Sequence, residues 1–204
     1  MKSSVLNPPD HYHFDCFSWI IICARLCRAH IIIQSEYLQS MTQVKFAIRH
    51  ATIADTPAIF SLILALADYE NLSDKVTGNI ESLQEDLFGA KPCIEAIVVE
   101  IEPNQQIVGF ALFFTSYSTF LTRRGIYLED LFVLSEYRGM GIGKALITHL
   151  AQIAVSREYG RFEWSVLDWN EPAIAFYKRI GAETLPDWRI CRVNCEALQK
   201  IANQ

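Results

Sequence analysis

This chain has too little positive charge for a nucleic-acid partner. Its 18 lysines and arginines stand against 23 aspartates and glutamates, a net charge of −5. Phosphate backbones need a basic footprint, so DNA and RNA are excluded as partners. Long apolar runs are also missing. The most apolar stretch, Phe17 to Cys27 followed by Ile31 to Ile33, is broken by Arg25, Arg28 and His30. It falls short of the roughly 20 apolar residues of a membrane helix, and most of its basic residues follow the apolar part, the reverse of a signal peptide. No membrane association is expected. The 6 cysteines form no framework: Cys16, Cys23 and Cys27 lie near the start, Cys93 stands alone, and Cys191 and Cys195 are separated by three residues without a second pair. Reduced thiols in a cytoplasmic protein follow. His149 stands apart from the other four histidines, and no metal-ligand spacing occurs, so no metal is expected. Neither G-x-G-x-x-G nor G-x-x-x-x-G-K-[ST] is present, which argues against a dinucleotide fingerprint and a P-loop.

What the chain does have is concentrated between Ile126 and Ala145. An apolar and aromatic run, Ile126 to Leu134, predicts a strand, yet it carries adjacent carboxylates at Glu129 and Asp130. A polar turn leads to Arg138-Gly139-Met140-Gly141-Ile142-Gly143, and Ala145, Leu146, Leu150 and Ile153 then share one helical face. Strand, glycine-rich turn and helix form a phosphate cradle. Glycines let a backbone approach closely, and the helix start adds unpaired N–H donors and the positive end of its dipole. Glycines alone would fit a tight strand-to-helix turn equally well.

The remaining elements follow in order. Residues 1–40 are set apart by composition and hold as many acidic as basic residues, so the excess negative charge lies in 41–204. The natural start is expected at Met41, with an apolar helix docked on the domain or a partner as the alternative reading of 1–40. Val44 to Arg49 alternates as a strand, Thr52-x-x-Asp55 is a capping signal, and Ile59, Leu62, Ile63 and Leu66 give a helix from Ile53 to Tyr69. Ile80, Leu83 and Leu87 predict a second helix; Ile94 to Ile101 and Ile107 to Tyr117 predict strands around a turn at Glu102 to Gln105. After the cradle helix, which runs to about Glu158, come a strand at Phe162 to Val166, a helix from Pro172 to Ile180, a strand at Trp188 to Val193 and a short final helix.

A second motif, Asn170-Glu171-Pro172-Ala173-Ile-Ala-Phe176-Tyr177 ending in Gly181-Ala182, joins Arg138-x-x-Gly141-x-Gly143. Together they resemble the GNAT superfamily of acetyl-CoA-dependent N-acetyltransferases. Tyr127 to Val133, Tyr137 to Gly143 and Trp169 to Pro172 are similar to its spermidine/spermine (diamine) N-acetyltransferase group. The resemblance runs from about Lys45 to the C-terminus. It implies an α/β (α+β) GNAT fold: a mixed sheet, splayed at the acetyl-CoA site and flanked by helices, in a single domain 41–204.

It also implies direct acetyl transfer from acetyl-CoA to an amine in a ternary complex. The N–H groups of Gly139, Met140, Gly141, Ile142, Gly143 and Lys144 would bind the pyrophosphate, with Arg138 positioning or neutralising it. The amide-rich pantetheine arm would pair along Leu131, Phe132 and Val133, where a backbone N–H can stabilise an oxyanion. Asn170, Glu171, Pro172 and Ala173 would contact the arm. Glu129 is the expected proton acceptor for the amine, through water, with Asp130 beside it; neighbours on a strand point to opposite faces, so one of the pair is expected to face the cleft. On residue type alone, ion pairing of these carboxylates with Arg123 or Arg124 is the competing reading. Tyr177 is the expected general acid for the leaving thiolate, against a plain packing role on its helix.

Substrate contacts are implied at Tyr69, Glu70, Glu129, Glu163, Trp164 and Ser165. Glu70 would attract a distal cation, or simply be a solvated helix end. The chain departs from polyamine-acetylating members at Glu163-Trp-Ser165 and in having Phe120 where some have tryptophan. The substrate is therefore left as a small cationic amine: a polyamine, a diamine or a lysine analogue such as thialysine. A protein amine, an aminoglycoside-like amine and a non-catalytic acyl-CoA-binding module are the alternatives. A homodimer is expected from the family.

Overall fold

The computed structural model describes residues 44–204; the readings of residues 1–40 and of Met41 lie outside them. A five-stranded sheet runs in the order β1-β2-β3-β4-β5, made of β1 (Phe46–His50), β2 (Glu95–Ile101), β3 (Gln106–Ser118), β4 (Arg123–Val133) and β5 (Phe162–Trp164). The first four pair antiparallel, and β5 joins β4 in parallel. Helices α1 (Thr56–Tyr69), α2 (Ile80–Phe88), α3 (Ile142–Ser156), α4 (Glu171–Arg179) and α5 (Cys195–Ala202) complete the chain.

The sheet has a core on each face, so its inner strands carry continuous apolar runs. In β2, Ala96 to Val99 are all buried. Ile97, Val99, Phe113, Ile126 and Leu128 face α3, which answers with Ile142, Leu146, Ile147 and Leu150. Val98, Phe110, Leu112 and Phe132 face Ile59 and Leu62 of α1 and Leu87 of α2. The capping signal before α1 takes a fuller form than a single turn. Asp55 accepts from Thr52 N–H at 2.7 Å and from Arg49 Nη1 at 2.6 Å, and Arg49 Nε donates to Glu100 at 2.9 Å. A 3-10 turn, Ile53–Asp55, then feeds the helix.

One predicted element does not form. Trp188 to Val193 has strand composition, but no ladder among the described residues includes it, and Trp188 and Ile190 are exposed. A strand needs a partner edge as well as β-branched and aromatic residues. The neighbouring β5 is three residues long and pairs only with β4, so it offers this segment no ladder here. The expected Phe162 to Val166 strand is shortened to Phe162–Trp164.

Candidate active site

The glycine-rich turn and the helix after it lie where the sequence predicts. Gly139 and Gly141 adopt left-handed φ of 78° and 83°, a conformation that costs other residues about 1–2 kcal/mol. Gly141 is the N-cap of α3 and supplies no side chain to cap it. The first backbone bond of the helix joins Ala145 N–H to Gly141 C=O at 3.0 Å. The N–H groups before it are left for a ligand, and a side-chain carbon at position 139, 141 or 143 would meet no atom within 4 Å. An anion such as a pyrophosphate fits this concave, donor-lined turn. Lys144, exposed in the first turn of α3, adds a positive charge beside it.

The splay is read directly from the ladders. β5 pairs with β4 only at Ile126, Tyr127 and Leu128, whereas β4 continues to Val133. From Glu129 to Val133 no strand of the sheet therefore pairs with the β5 side of β4; at its far end the Val133 carbonyl accepts from Arg138 Nε at 2.9 Å. That open edge includes Leu131, Phe132 and Val133, the residues expected to pair with an amide-rich arm.

The adjacent carboxylates behave differently from the expectation. Leu112 pairs with Asp130 and Phe113 with Leu128, so Glu129 is an extra residue in a β-bulge. The bulge interrupts the two-residue alternation, and the pair is no longer held on opposite faces. Asp130 falls on the side of Phe132 and α1, where it feels the charges of both Glu129 and Glu70. Burial first, then those two charges, raise its pKa from 3.8 to about 6. Glu70, just past the end of α1, is raised by burial alone. The three make no ion pair among the described residues, so Arg123 and Arg124 do not neutralise them. Asp130 belongs with Glu70 and Glu129, and the signal for it was present: a second carboxylate inside an apolar strand.

Tyr177 lies on α4, packed on the rings of Trp164 at 5.0 Å and Phe176 at 5.3 Å. Burial pushes its phenol up, so it keeps its proton across the neutral range and can donate it. The side-chain oxygen of Asn170 accepts from Ala173 N–H at 3.3 Å and caps α4; Pro172 sits in the helix's first turn and Glu171 is exposed there. The three-residue β5 is divided in use. Trp164 packs with Tyr177, Glu163 pairs with Arg161 at 2.7 Å, and just beyond it Ser165 shares a hydrogen bond with the Tyr127 hydroxyl at 2.8 Å. Trp164 thus supports the tyrosine, while Glu163 is already partnered.

Tyr69 meets Phe132 at 6.4 Å and Trp169 at 6.1 Å, so the end of α1, the end of β4 and the turn before α4 converge. Trp169 was not singled out by residue type; its place before Asn170 was the available signal. Phe120 is 92 % exposed in the β3–β4 turn. Two hollows of about 540 Å³ lie at the opposite end of the sheet, one beside Arg123, Arg157 and Tyr159 and one beside His50, Cys93 and Phe114. Neither contains any of the predicted site residues. Among the described residues no cluster of three or more potential ligands could hold a metal ion, and no helix is long and apolar enough to cross a membrane.

Comparison with known proteins gives the family. Residues 63–182 match the model of the acetyltransferase (GNAT) family. The thialysine N-epsilon-acetyltransferase of Sus scrofa is 39% identical over 166 residues, covering 77% of this chain and 97% of its own. The L-ornithine N5-acetyltransferase of Arabidopsis thaliana is 32% identical, covering 76% of this chain and 86% of its own. Among solved structures, a Vibrio cholerae integron cassette protein superposes with a TM-score of 0.66 at 26% identity, over 78% of this chain and 98% of its own. With the cradle, the splayed strand and these matches together, the chain belongs to the GNAT family of N-acetyltransferases.

Proposed function

We propose that this enzyme transfers the acetyl group of acetyl-CoA directly to a primary amine of a small cationic molecule, of the class of thialysine, diamines and polyamines. The observation that carries the substrate class is the acidic corner. Half-buried Asp130 feels the charges of Glu129 and Glu70, and none of the three has an ion-pair partner among the described residues. Burying like charges is unfavourable, and a cationic ligand entering the cleft relieves that repulsion. Relatives named for thialysine and for ornithine, both amino acids with a side-chain amine, support the same class.

In this reading the N–H groups of 139–144 hold the pyrophosphate and the free edge of β4 pairs with the pantetheine arm. A strand N–H stabilises the tetrahedral oxyanion. Glu129, at the bulge, accepts the proton of the attacking ammonium through water, since lysine-like amines have pKa values near ~10 and must be deprotonated to attack. Tyr177 then protonates the departing thiolate. Asp130 and Glu70 hold the distal cation. A homodimer is part of the proposal, and the exposed apolar residues Leu185, Trp188, Ile190, Leu198 and Ile201 at the C-terminal end supply a face for it. So is a cytoplasmic location, which suits the free thiols of Cys93, Cys191 and Cys195.

The test is release of free CoA by the full chain with acetyl-CoA and a panel of amines. Spermidine, spermine, putrescine, lysine, thialysine, an aminoglycoside and a lysine-bearing peptide make up the panel. Saturable turnover on the small cationic amines is the expected result. Turnover confined to the peptide or the aminoglycoside would overturn the substrate class, and acetyl-CoA binding without turnover on any amine would favour a binding module.

A further inference from the structure

Arg138 opens the cradle motif, but its side chain does not simply point at the turn. Its Nε donates to the carbonyl oxygen of Val133 at 2.9 Å. Its guanidinium carbon lies 4.4 Å from the centre of the Tyr69 ring and 5.2 Å from that of Phe132. Among the described residues it makes no ion pair, so its two terminal nitrogens have no carboxylate partner. Tyr69 also touches Trp169, and its chain neighbour is Glu70 of the acidic corner. One planar cation therefore touches the last residue of α1, the end of β4 and, through its backbone, the first glycine of the cradle.

We infer that Arg138 is a positioning residue that couples the two halves of the site, so that acyl-donor binding at the cradle orders the end of α1 and with it Glu70. The inference rests on the proposed use of acetyl-CoA. Arginine has a long side chain with much rotamer entropy to lose when fixed. A diphosphate at the N–H groups beside it would take the free terminal nitrogens and fix that side chain. The Tyr69 ring then packs on a guanidinium that is already immobile, at a lower entropic cost. Linkage makes the effect reciprocal: a cation held by Glu70 orders Tyr69 and presets Arg138 for the diphosphate. Lysine cannot substitute, because an ammonium has no planar face to lie against two rings.

Hydrogen exchange of the full chain, with and without CoA, tests this without knowledge of the amine. CoA should protect residues 139–146 and also slow exchange in residues 66–72 by about tenfold, within the usual range of coupling between sites. In Arg138→Lys the protection of 66–72 should fall below about twofold. In Tyr69→Leu, which leaves Arg138 and the cradle intact, 139–146 should stay protected while 66–72 no longer responds. This second variant keeps the test valid if Arg138→Lys is poorly folded. Protection of 139–146 with no response at 66–72 in the unmodified protein would overturn the coupling while leaving CoA binding intact. Protection of 66–72 that survives in both variants would also overturn it. Absence of protection at 139–146 would overturn the underlying acyl-donor reading instead.

Discussion

Asp55 and Asp130 are the same residue type in opposite circumstances. Asp55 is buried at the start of α1, yet Arg49 donates two hydrogen bonds to it and Thr52 two more. The Arg49 hydrogen bonds, opposed by burial and helped by Thr52, hold its carboxyl down at about 2. Asp130 is half-buried, but its charged neighbours are Glu129 and Glu70, and its carboxyl rises to about 6. Where a fold needs a buried carboxylate for its own integrity, it supplies the cation. Where three carboxylates lie together without an ion-pair partner among the described residues, a cationic ligand is what the proposed function supplies. Asp55 is a structural acid, and Asp130 belongs to a site.

The largest expected effect is a control lying outside both corners. Tyr177→Phe removes the phenolic proton and should lower turnover by 10²-fold or more, with acetyl-CoA affinity and both acid transitions unmoved. Steady-state kinetics and a CoA titration check it; unchanged turnover would remove Tyr177 from the acid role.

Next comes Asp55→Ala, which should cost about 2 kcal/mol at pH 7 in a denaturant melt, because it leaves Arg49 without its main partner. That is less than for a fully buried pair, since the Arg49 side chain is 37% exposed and keeps Glu100. The sign with pH follows from the lowered pKa. The ionised, bonded form is favoured in the fold, so its stabilisation is complete above about 4 and lost as pH falls toward about 2. The gap between the variant and the parent protein should close over that window.

Asp130→Asn should do the reverse. Its raised pKa means that the folded protein binds the proton more tightly than the unfolded chain does. The ionised form therefore costs stability, with nothing lost below about 4 and the full cost reached above about 6. The asparagine variant should be more stable by on the order of 2 kcal/mol at pH 8 and indistinguishable at pH 4, while the KM for a cationic amine rises about tenfold. A destabilised Asp130→Asn at pH 8 would erase the contrast between the two aspartates.

How much of this could be read from the chain depends on how locally each part is encoded. The cradle is a contiguous run, Arg138 to Lys144, whose chemistry lies in its own backbone. Glycines with positive φ and an uncapped helix start do not need distant partners, so the sequence alone determined them. The capping signal at Thr52 and Asp55 and the apolar faces of α1, α2 and α3 were legible for the same reason. The sheet's central strands were equally plain, because residues buried on both faces leave an unbroken apolar run.

Tertiary structure decided what depends on a partner. Trp188 to Val193 has the composition of a strand but joins no ladder among the described residues. The bulge at Glu129 exists only as a register between β3 and β4, and it sets two neighbouring carboxylates beside a third that is distant in sequence. The stack of Arg138, Tyr69, Phe132 and Trp169 likewise joins four separate segments. A side chain's neighbours along the chain fix its backbone preference, but its charge state and contacts depend on what folding brings against it.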